Sequence, residues 1–472
     1  MKRLYDYAKQ LSPEKKKNEG IVYTPVEIVG YINKKCLSLW KNATPPTVID
    51  FSCGTGVFLV DMAEKISERY GISTEEVYDK YIYGNDLDAD ALAVFTQETG
   101  CKNTLNIDGL HVDLSGYDII VGNPPYVRIR NLDKHQQREI KKLDWCSVGN
   151  VDLFIAFSEK KAKSNKIYGM ICPNSWIKTA SGIMMRNFLL NNRMNELIDF
   201  RGKMNFKEQA YTSIIISSGR AEERFLFKTS IEDVGEIRAF EDVSENNFFL
   251  KQQEQQFVKA IGQRKNYFLD YFQMSVGIAT LYDKGYYLPK AKVAGEFLEF
   301  GLDKIELGAT RKVFKASKLA LYDKKAEDYF IYPYKDGKII KEEDMRSTYP
   351  LAYRYLEKSK PIFLKRDKGA FGKRHEKNEV QWYEYGRTQA LSIQKEKVLI
   401  SPVFKKVKYK KINEGLFFSG YCIFPKTKRY GFSELLTILG SSEFQRWAEL
   451  NGSFKTGGFY AINKKTFKNF KF

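Results

Sequence analysis

Several features that mark common protein classes are scarce or missing in this sequence. No uninterrupted apolar run approaches the length of a membrane span, and the first residues do not form an apolar signal segment. None of the six cysteines forms a Cys-x-x-Cys pair, and the 472 residues contain only three histidines. Membrane insertion, a disulfide framework and a metal site are therefore not expected, and we predict a cytoplasmic protein without a metal.

Acidic residues are scarce only in the second half of the chain. Residues 1–250 carry 33 Lys and Arg against 34 Asp and Glu, whereas residues 251–472 carry 44 against 24. This asymmetry predicts a near-neutral domain at 1–245 and a polyanion-binding domain at 246–472. A solvated, lysine-rich surface is the alternative explanation for the same charge.

Strand and helix patterns alternate through the first 220 residues. Strand-like segments occur at 48–51, 81–86, 119–122, 167–172, 196–200 and 212–217, and helical patterns at 26–39, 57–69, 89–99, 151–163 and 180–190. This alternation predicts an α/β fold with a mostly parallel sheet. The charged segment 127–150 is expected to form an irregular loop or lid.

A glycine turn at residues 50–56, Asp-Phe-Ser-Cys-Gly-Thr-Gly, joins the first strand to its helix. Such a turn lets the backbone approach a ligand closely, and it lacks the Gly-Lys-Ser/Thr of a triphosphate site. Asp86 ends the second strand, where a carboxylate commonly binds ribose hydroxyls. Asp88 is expected to cap the next helix, and Thr24 to cap the helix at 26–39 with Pro25 in its first position.

The segment Asp118–Tyr126 runs from a buried strand into Asn-Pro-Pro-Tyr. The two prolines stiffen the turn, which presents the Asn123 amide, the Pro124 carbonyl and the Tyr126 ring above the sheet. Two oxygen acceptors can bind both N–H groups of an aromatic amine and disperse the charge that develops as its nitrogen attacks. The ring can hold a base taken out of its helix. The alternative is a proline-rich turn without chemistry.

In their order along the chain these motifs resemble the DNA adenine-N6 methyltransferases of restriction–modification systems, in particular the gamma subclass. The resemblance covers residues 18–220 and also includes Asp152-Leu-Phe154 and Pro173-Asn-Ser175. Only 67 residues separate Gly56 from Asn123, too few for a recognition domain, which is therefore expected after both motifs.

The resemblance implies a Rossmann-like, S-adenosylmethionine-dependent methyltransferase domain at 1–245 and a mixed α+β target-recognition domain at 246–472. Expected cofactor-binding residues are Tyr23, Thr24, Pro25, Asp50, Ser52, Cys53, Gly54, Gly56, Asp86, Leu87, Asp108, Gly109 and Asn123. Expected catalytic residues are Asn123, Pro124, Pro125 and Tyr126, with Tyr126 and Phe206 stacking on the target base. An ordinary turn aspartate is the alternative for Asp108, and loop packing is the alternative for Phe206.

Cations and aromatic rings stand side by side in the C-terminal half, a pattern that suits phosphate contacts and base-edge reading. Candidate DNA-binding residues are Arg128, Arg366, Arg374, Arg387, Lys405 and Lys406. For any single arginine the alternative to base reading is a phosphate contact or a surface ion pair.

The predicted activity is methyl transfer from S-adenosylmethionine to N6 of a flipped adenine in double-stranded DNA. The protein is expected to be a monomer that acts either with a cognate restriction endonuclease on a separate chain or as an orphan methylase. No nuclease signature stands out in this chain. The alternatives are methylation of RNA or of a protein glutamine amide, and a non-catalytic DNA-binding subunit.

Overall fold

The computed structural model describes residues 2–149, 151–191, 193–202, 211–244, 247–323, 328–366, 380–393, 395–455 and 458–472. The chain divides into two compact units, residues 1–255 (unit 1) and 256–472 (unit 2). The assignment of catalysis to residues 1–245 and of target recognition to residues 246–472 stays a prediction.

Unit 1 consists of a large sheet with flanking helices. Its strands are β1 (Val48–Asp50), β2 (Ile82–Asn85), β3 (Thr104–Leu105), β4 (Ile119–Gly122), β5 (Ile167–Pro173), β6 (Glu196–Asp199), β7 (Thr212–Ser217), β8 (Arg224–Lys228) and β9 (Glu236–Ala239). Its helices are α1 (Lys2–Gln10), α2 (Pro13–Glu19), α3 (Val26–Leu39), α4 (Val57–Tyr70), α5 (Thr74–Lys80), α6 (Ala89–Thr99), α7 (Lys134–Ile140), α8 (Leu153–Lys163) and α9 (Ile183–Leu190). Helix α10 (Gln252–Gln263) continues from unit 1 into unit 2.

The nine strands are ordered β3-β2-β1-β4-β5-β7-β6-β8-β9. Strands β3, β2, β1, β4 and β5 are parallel, and β7 is antiparallel to both β5 and β6. The strand order reverses between β1 and β4, and ligands bind at the carboxyl ends of strands beside such a switch point. Both the glycine turn after β1 and the Asn-Pro-Pro-Tyr turn after β4 begin there.

The helix ends follow local chemistry, with one correction to the sequence interpretation. Asp88 caps α6 as predicted, because its carboxylate accepts from the backbone N–H groups of Asp90 and Ala91. Thr24 does not cap α3: Pro25 occupies the cap position, and no side chain caps that helix. The Thr24 hydroxyl instead accepts from the Asn123 side chain, which lies far away in sequence but adjacent in the fold.

Unit 2 contains several small sheets. Its strands are β10 (Phe272–Val276), β11 (Tyr287–Leu288), β12 (Lys292–Ala294), β13 (Phe297–Phe300), β14 (Asp303–Glu306), β15 (Thr310–Lys315), β16 (Asp328–Ile331), β17 (Tyr334–Lys335), β18 (Lys338–Ile339), β19 (Lys397–Ile400), β20 (Val403–Phe404), β21 (Tyr409–Ile412), β22 (Leu416–Phe418), β23 (Tyr421–Pro425), β24 (Ser453–Lys455) and β25 (Phe459–Ala461). Further helices are α11 (Phe268–Tyr271), α12 (Glu342–Thr348), α13 (Pro350–Glu357), α14 (Lys360–Leu364), α15 (Phe432–Gly440), α16 (Ser442–Asn451) and α17 (Lys464–Lys468). Two four-stranded sheets, β10-β23-β19-β21 and β11-β16-β15-β22, contribute buried side chains to apolar clusters of this unit.

All six cysteines are free and buried, and burial raises the pKa of each thiol. Within the part of the chain that the structure describes, no helix is long and apolar enough to cross a membrane. The same residues contain no cluster of three or more His, Cys, Asp or Glu side chains that fits a metal ion.

Candidate active site

A cavity of about 1210 Å³ lies at the carboxyl ends of β1, β2 and β4. Most of the predicted cofactor and catalytic residues line it: Tyr23, Thr24, Asp50, Ser52, Cys53, Gly54, Asp86, Leu87, Asp108, Gly109, Asn123, Pro124 and Pro125. Pro25, Gly56 and Tyr126 belong to the same turns but are outside this lining. The structure thus brings together residues from five separate stretches of sequence.

The glycine turn after β1 is held by two carboxylates. Asp50 Oδ1 accepts from the backbone N–H of Ser52 at 3.0 Å. Asp86 Oδ2 accepts from the Gly54 N–H at 2.7 Å, and its Oδ1 accepts from the Asp88 N–H at 2.9 Å. Asp86 therefore fastens the turn to the end of β2, a role that the sequence did not suggest. Binding of ribose by the same carboxylate stays a prediction.

Aromatic rings form one wall of the cavity. Phe51 and Phe157 stack with ring centroids 5.3 Å apart and planes parallel to within 1°. A Cβ at Gly109 would come within 2.4 Å of the Phe51 carbonyl oxygen and 2.8 Å of the Phe157 ring, so only glycine fits there. Asp108 accepts from the Leu110 N–H at 2.9 Å and so orders the short helical turn beside this wall.

The Asn123 side chain is oriented by the segment that precedes α3. Its Nδ2 donates to the Val22 carbonyl at 2.9 Å and to the Thr24 hydroxyl at 3.2 Å. Its Oδ1 is buried and has no hydrogen-bond partner among the described residues. Because an unpaired buried acceptor is costly, this oxygen is well suited to accept a hydrogen bond from a ligand.

Tyr126 lies directly after this turn, and its backbone N–H donates to the Gly20 carbonyl. Its hydroxyl is also buried without a hydrogen bond of normal geometry among the described residues, although it lies near the Asn123 side chain. Burial raises the pKa of this hydroxyl well above its usual value, so it stays protonated.

Sequence reasoning missed a contribution from the first two helices. The Tyr7 hydroxyl and the Lys15 ammonium each donate to Asp88 Oδ2 at 2.9 Å. Lys15 and Glu19 also line the cavity. The only available signal was the polar, lysine-rich character of residues 1–18, which does not reveal a partner at position 88.

The segment 127–150 was predicted to be irregular, and this is wrong in part. It contains helix α7, whose first turn is capped by the Asp133 carboxylate accepting from the N–H groups of His135 and Gln136. Residues of and beside this helix line the cavity, as a lid would: Leu132, His135, Gln136, Glu139, Ile140, Lys142 and Leu143. An aspartate before a polar seven-residue helix was the signal that could have located it.

The cavity is acidic. Seven carboxylate side chains line it against two lysines: Glu19, Asp50, Asp86, Asp88, Asp90, Asp108 and Glu139 against Lys15 and Lys142. Burial raises the pKa of Asp50 to about 7 and also raises that of Asp86. Acidic groups combined with apolar and aromatic walls suit a cationic ligand that has a flat ring.

The candidate DNA-binding residues differ in their exposure to solvent. Arg128, Arg387, Lys405 and Lys406 are exposed. Phe206 and Arg374 lie outside the described residues. The prediction that Arg366 contacts DNA is wrong. This residue is only 8% exposed, and its guanidinium donates to the carbonyls of Thr280 and Trp382 at 2.6 Å. These bonds hold Arg366 within the core of unit 2, so it does not present its guanidinium at a surface.

The fold is a Rossmann-like α/β domain followed by a second, mixed α+β domain. Residues 37–206 match the family model described as Eco57I restriction-modification methylase. The resemblance to restriction–modification DNA methyltransferases is thereby confirmed, and the cofactor that this relationship implies is S-adenosylmethionine. The gamma subclass stays a prediction.

Two curated relatives agree with this relationship. The chain is 25% identical over 401 residues to the type II restriction enzyme and methyltransferase RM.Eco57I of Escherichia coli, covering 75% of this chain and 40% of that protein. It is 27% identical over 212 residues to the type II methyltransferase M.HincII of Haemophilus influenzae, covering 44% of this chain and 38% of that protein. The chain therefore spans less than half the length of either relative.

The fold is also similar to that of the Type IIL restriction-modification enzyme MmeI, whose structure was solved in complex with DNA. The TM-score is 0.66 at 14% sequence identity, over 98% of this chain and 69% of that chain. The likeness confirms the predicted fold class, with its mostly parallel sheet and its additional mixed domain.

The residues present fit the implied cofactor. S-adenosylmethionine carries a positive sulfur and a flat adenine ring, and the cavity offers carboxylates beside an aromatic wall. The positions that would hold it are the Asp50–Gly56 turn, Asp86 and Asp108.

Proposed function

We propose that this protein is a DNA methyltransferase that modifies N6 of an adenine flipped out of double-stranded DNA. The observation that carries the proposal is the buried, unpartnered Oδ1 of Asn123 at the edge of the acidic cavity. A planar amine supplies the N–H donor that this oxygen lacks. Adenine N6 is such an amine.

Two acceptors do the chemical work in this proposal. Asn123 Oδ1 and the Pro124 carbonyl accept from the two N–H groups of the amine, and they stabilise the positive charge that grows on its nitrogen. The Tyr126 side chain offers a ring face to the target nucleobase. Its hydroxyl stays protonated and does not act as a proton acceptor. When bound, S-adenosylmethionine supplies a methyl group on a positively charged sulfur.

Unit 2 supplies DNA binding in this proposal. The excess of 20 positive charges in residues 251–472 favours a nucleic acid over a protein glutamine amide, which needs no polyanion-binding surface. Exposed Lys405, Lys406 and Arg387 are candidates for contacts with DNA. We further propose a cytoplasmic monomer that works beside a restriction endonuclease on a separate chain or as an orphan methylase.

The nature of the product tests the proposal. Purified protein is incubated with S-adenosylmethionine carrying a labelled methyl group, together with duplex DNA, RNA or a mixed protein substrate. We expect the label in DNA, and mass spectrometry of the digested nucleosides should identify N6-methyladenine. Label in cytosine, RNA or protein, or no transfer to any substrate, would contradict the proposed activity.

A further inference from the structure

Helix α8 buries a lysine beneath the active site. Lys161 is 0% exposed and lies one turn after Phe157, which lines the cavity. Its ammonium donates to the Val121 carbonyl at 3.2 Å and lies 5.2 Å from the centre of the Phe51 ring. Among the described residues, the bond to Val121 is the only hydrogen bond of this ammonium. A buried cation with so few hydrogen bonds is costly unless a negative charge lies nearby.

The strongest attraction on this ammonium comes from the carboxyl group of Asp50, which is 1% exposed and directly precedes Phe51. Other titratable groups that act on Lys161 are the thiols of Cys172 on β5 and Cys36 on α3, and burial raises the pKa of both so that they stay neutral. Burial lowers the pKa of Lys161 to about 8, and the attraction of Asp50 opposes this shift. In turn Lys161 lowers the pKa of Asp50 against its burial, while Asp86 acts to raise it.

The carboxylate of Asp50 lies between the two turns of the site. It accepts from the Ser52 N–H in the glycine turn. A Cβ at Gly122, whose φ is +131°, would fall 2.4 Å from Asp50 Oδ1, so this carboxylate rests against the backbone just before Asn123. The Ser52 hydroxyl also links the two turns, because it donates to the Asn123 carbonyl at 3.5 Å.

We infer that Lys161 is a positioning residue whose buried positive charge favours the ionised form of the Asp50 carboxyl and so helps to hold it between the glycine turn and Asn123. The inference rests on the proposed function only in naming the bound cation as S-adenosylmethionine. Asp50 lines the cavity, so its negative charge also attracts that ligand. Lys161 itself touches neither ligand nor base in this assignment and acts through Asp50.

Lys161→Met tests the inference because it removes the charge and keeps an unbranched apolar side chain. Stability alone is uninformative, since replacing a buried charge by a hydrophobic side chain is often neutral or stabilising. The titration of Asp50 is informative. It can be followed by carbon-13 NMR of protein labelled at aspartate carboxyls, with the Asp50 signal assigned by its loss in Asp50→Asn. Lys163→Met is the control, because it removes a lysine of the same helix that pairs with Asp144 and Glu159 rather than acting on Asp50.

In the wild-type chain we expect an Asp50 midpoint near the value of about 7 that burial sets. Lys161→Met should raise this midpoint by about one pH unit or more, because the nearby positive charge is removed. Lys163→Met should leave it unchanged. An Asp50 midpoint that is the same in Lys161→Met and in the wild type would overturn the inference. Lys161→Gln provides a second neutral variant if methionine prevents folding.

Binding of S-adenosylmethionine without DNA, measured by calorimetry, provides a second test. Lys161→Met should weaken binding by about fivefold at pH 7, because a midpoint moved from about 7 to about 8 lowers the ionised fraction of Asp50 from about one half to about one eleventh, and binding should recover at pH 9 as Asp50 ionises. In the Asp50→Asn background Lys161→Met should have no further effect, and a full additive loss there would contradict the inference. If the wild type itself binds no S-adenosylmethionine, the proposed function fails, while the NMR titration still decides the role of Lys161.

Discussion

At the scale of single residues, Asn123 serves both the fold and the proposed chemistry. Its Nδ2 donates to the Val22 carbonyl and to the Thr24 hydroxyl, and these two bonds fix the direction of its Oδ1. An acceptor held in place before the substrate arrives stabilises a developing charge without reorganisation. The segment before α3 therefore contributes to the site by aiming a side chain.

Asn123→Ala should reduce methyl transfer by at least about 100-fold, as expected for the loss of one preorganised group that stabilises charge. Binding of S-adenosylmethionine should remain within a few-fold of wild type, measured by calorimetry. Thr24→Val is the matched variant, because it removes one anchor of Nδ2 but leaves Oδ1 and the Val22 bond. We expect it to lose much less activity. An unfolded Asn123→Ala chain, seen by circular dichroism, would instead make the residue structural.

The sequence predicted which residues line the cavity better than it predicted their hydrogen-bond partners. Asp50 ends a strand, Asp86 and Asn123 each follow one, and the three stand in a recognisable order, which is a local signal. The bonds from Asp86 to Gly54, and from Asn123 to Thr24, join residues that are distant along the chain. Such bonds leave no periodicity in the sequence. The burial of Arg366 went unpredicted for the same reason, because its acceptors are carbonyls from other segments.

At the scale of elements, α4 begins at a glycine that the fold requires. Gly56 precedes α4 with φ +79°, and a Cβ there would meet the ring of buried Phe95 at 2.2 Å. Gly71 ends the same helix with φ +64° and has nothing within 4 Å of the corresponding position. The two glycines share left-handed backbone geometry and differ in their surroundings.

Gly71→Ala should lower the free energy of unfolding by about 1 kcal/mol, which is the cost of left-handed geometry alone. Gly56→Ala should lower it by about 3 kcal/mol, because the clash with Phe95 adds to the same backbone cost. Chemical denaturation of the two variants measures the difference directly. Equal losses would show that Phe95 moves aside freely.

Regular elements were predicted well where hydrophobic periodicity is strong. Strand β4 and helices α3 and α6 have the predicted bounds, Ile119–Gly122, Val26–Leu39 and Ala89–Thr99. Helix α7 was missed because its sequence, Lys-His-Gln-Gln-Arg-Glu-Ile, contains a single large apolar residue at its end. A helix without an apolar stripe gives no periodic signal, and its cap is the remaining cue.

At the scale of the whole molecule, the sequence predicted the net charge of each half but not which of its cations lie at the surface. The basic excess after residue 250 follows from counting. Several segments in which rings and cations alternate nevertheless belong to the core of unit 2, where Tyr383 and Tyr385 are at most 1% exposed. Exposed cations elsewhere, including Lys405, whose ammonium lies 5.1 Å from the Phe459 ring centre, are better candidates for binding phosphates.

The affinity of the full chain for duplex DNA should fall steeply with salt concentration. The double variant Lys405→Gln and Lys406→Gln should weaken binding and reduce the slope of log affinity against log salt by about 2, roughly one for each lysine that no longer binds a phosphate. Lys80→Gln is the control, since Lys80 is an exposed lysine of unit 1 paired with Glu76. Fluorescence anisotropy at several salt concentrations measures both slopes. A slope that the double variant leaves unchanged would remove these lysines from the interface.

The burial of all six thiols has a practical consequence for labelling this protein. A thiol reacts with maleimides and iodoacetamides as its thiolate, and the raised pKa of each native cysteine keeps that form scarce at neutral pH. One cysteine placed at an exposed position, such as Leu302 in unit 2, would then react selectively in the folded state. A fluorophore can thus be attached to this chain without first removing its native cysteines.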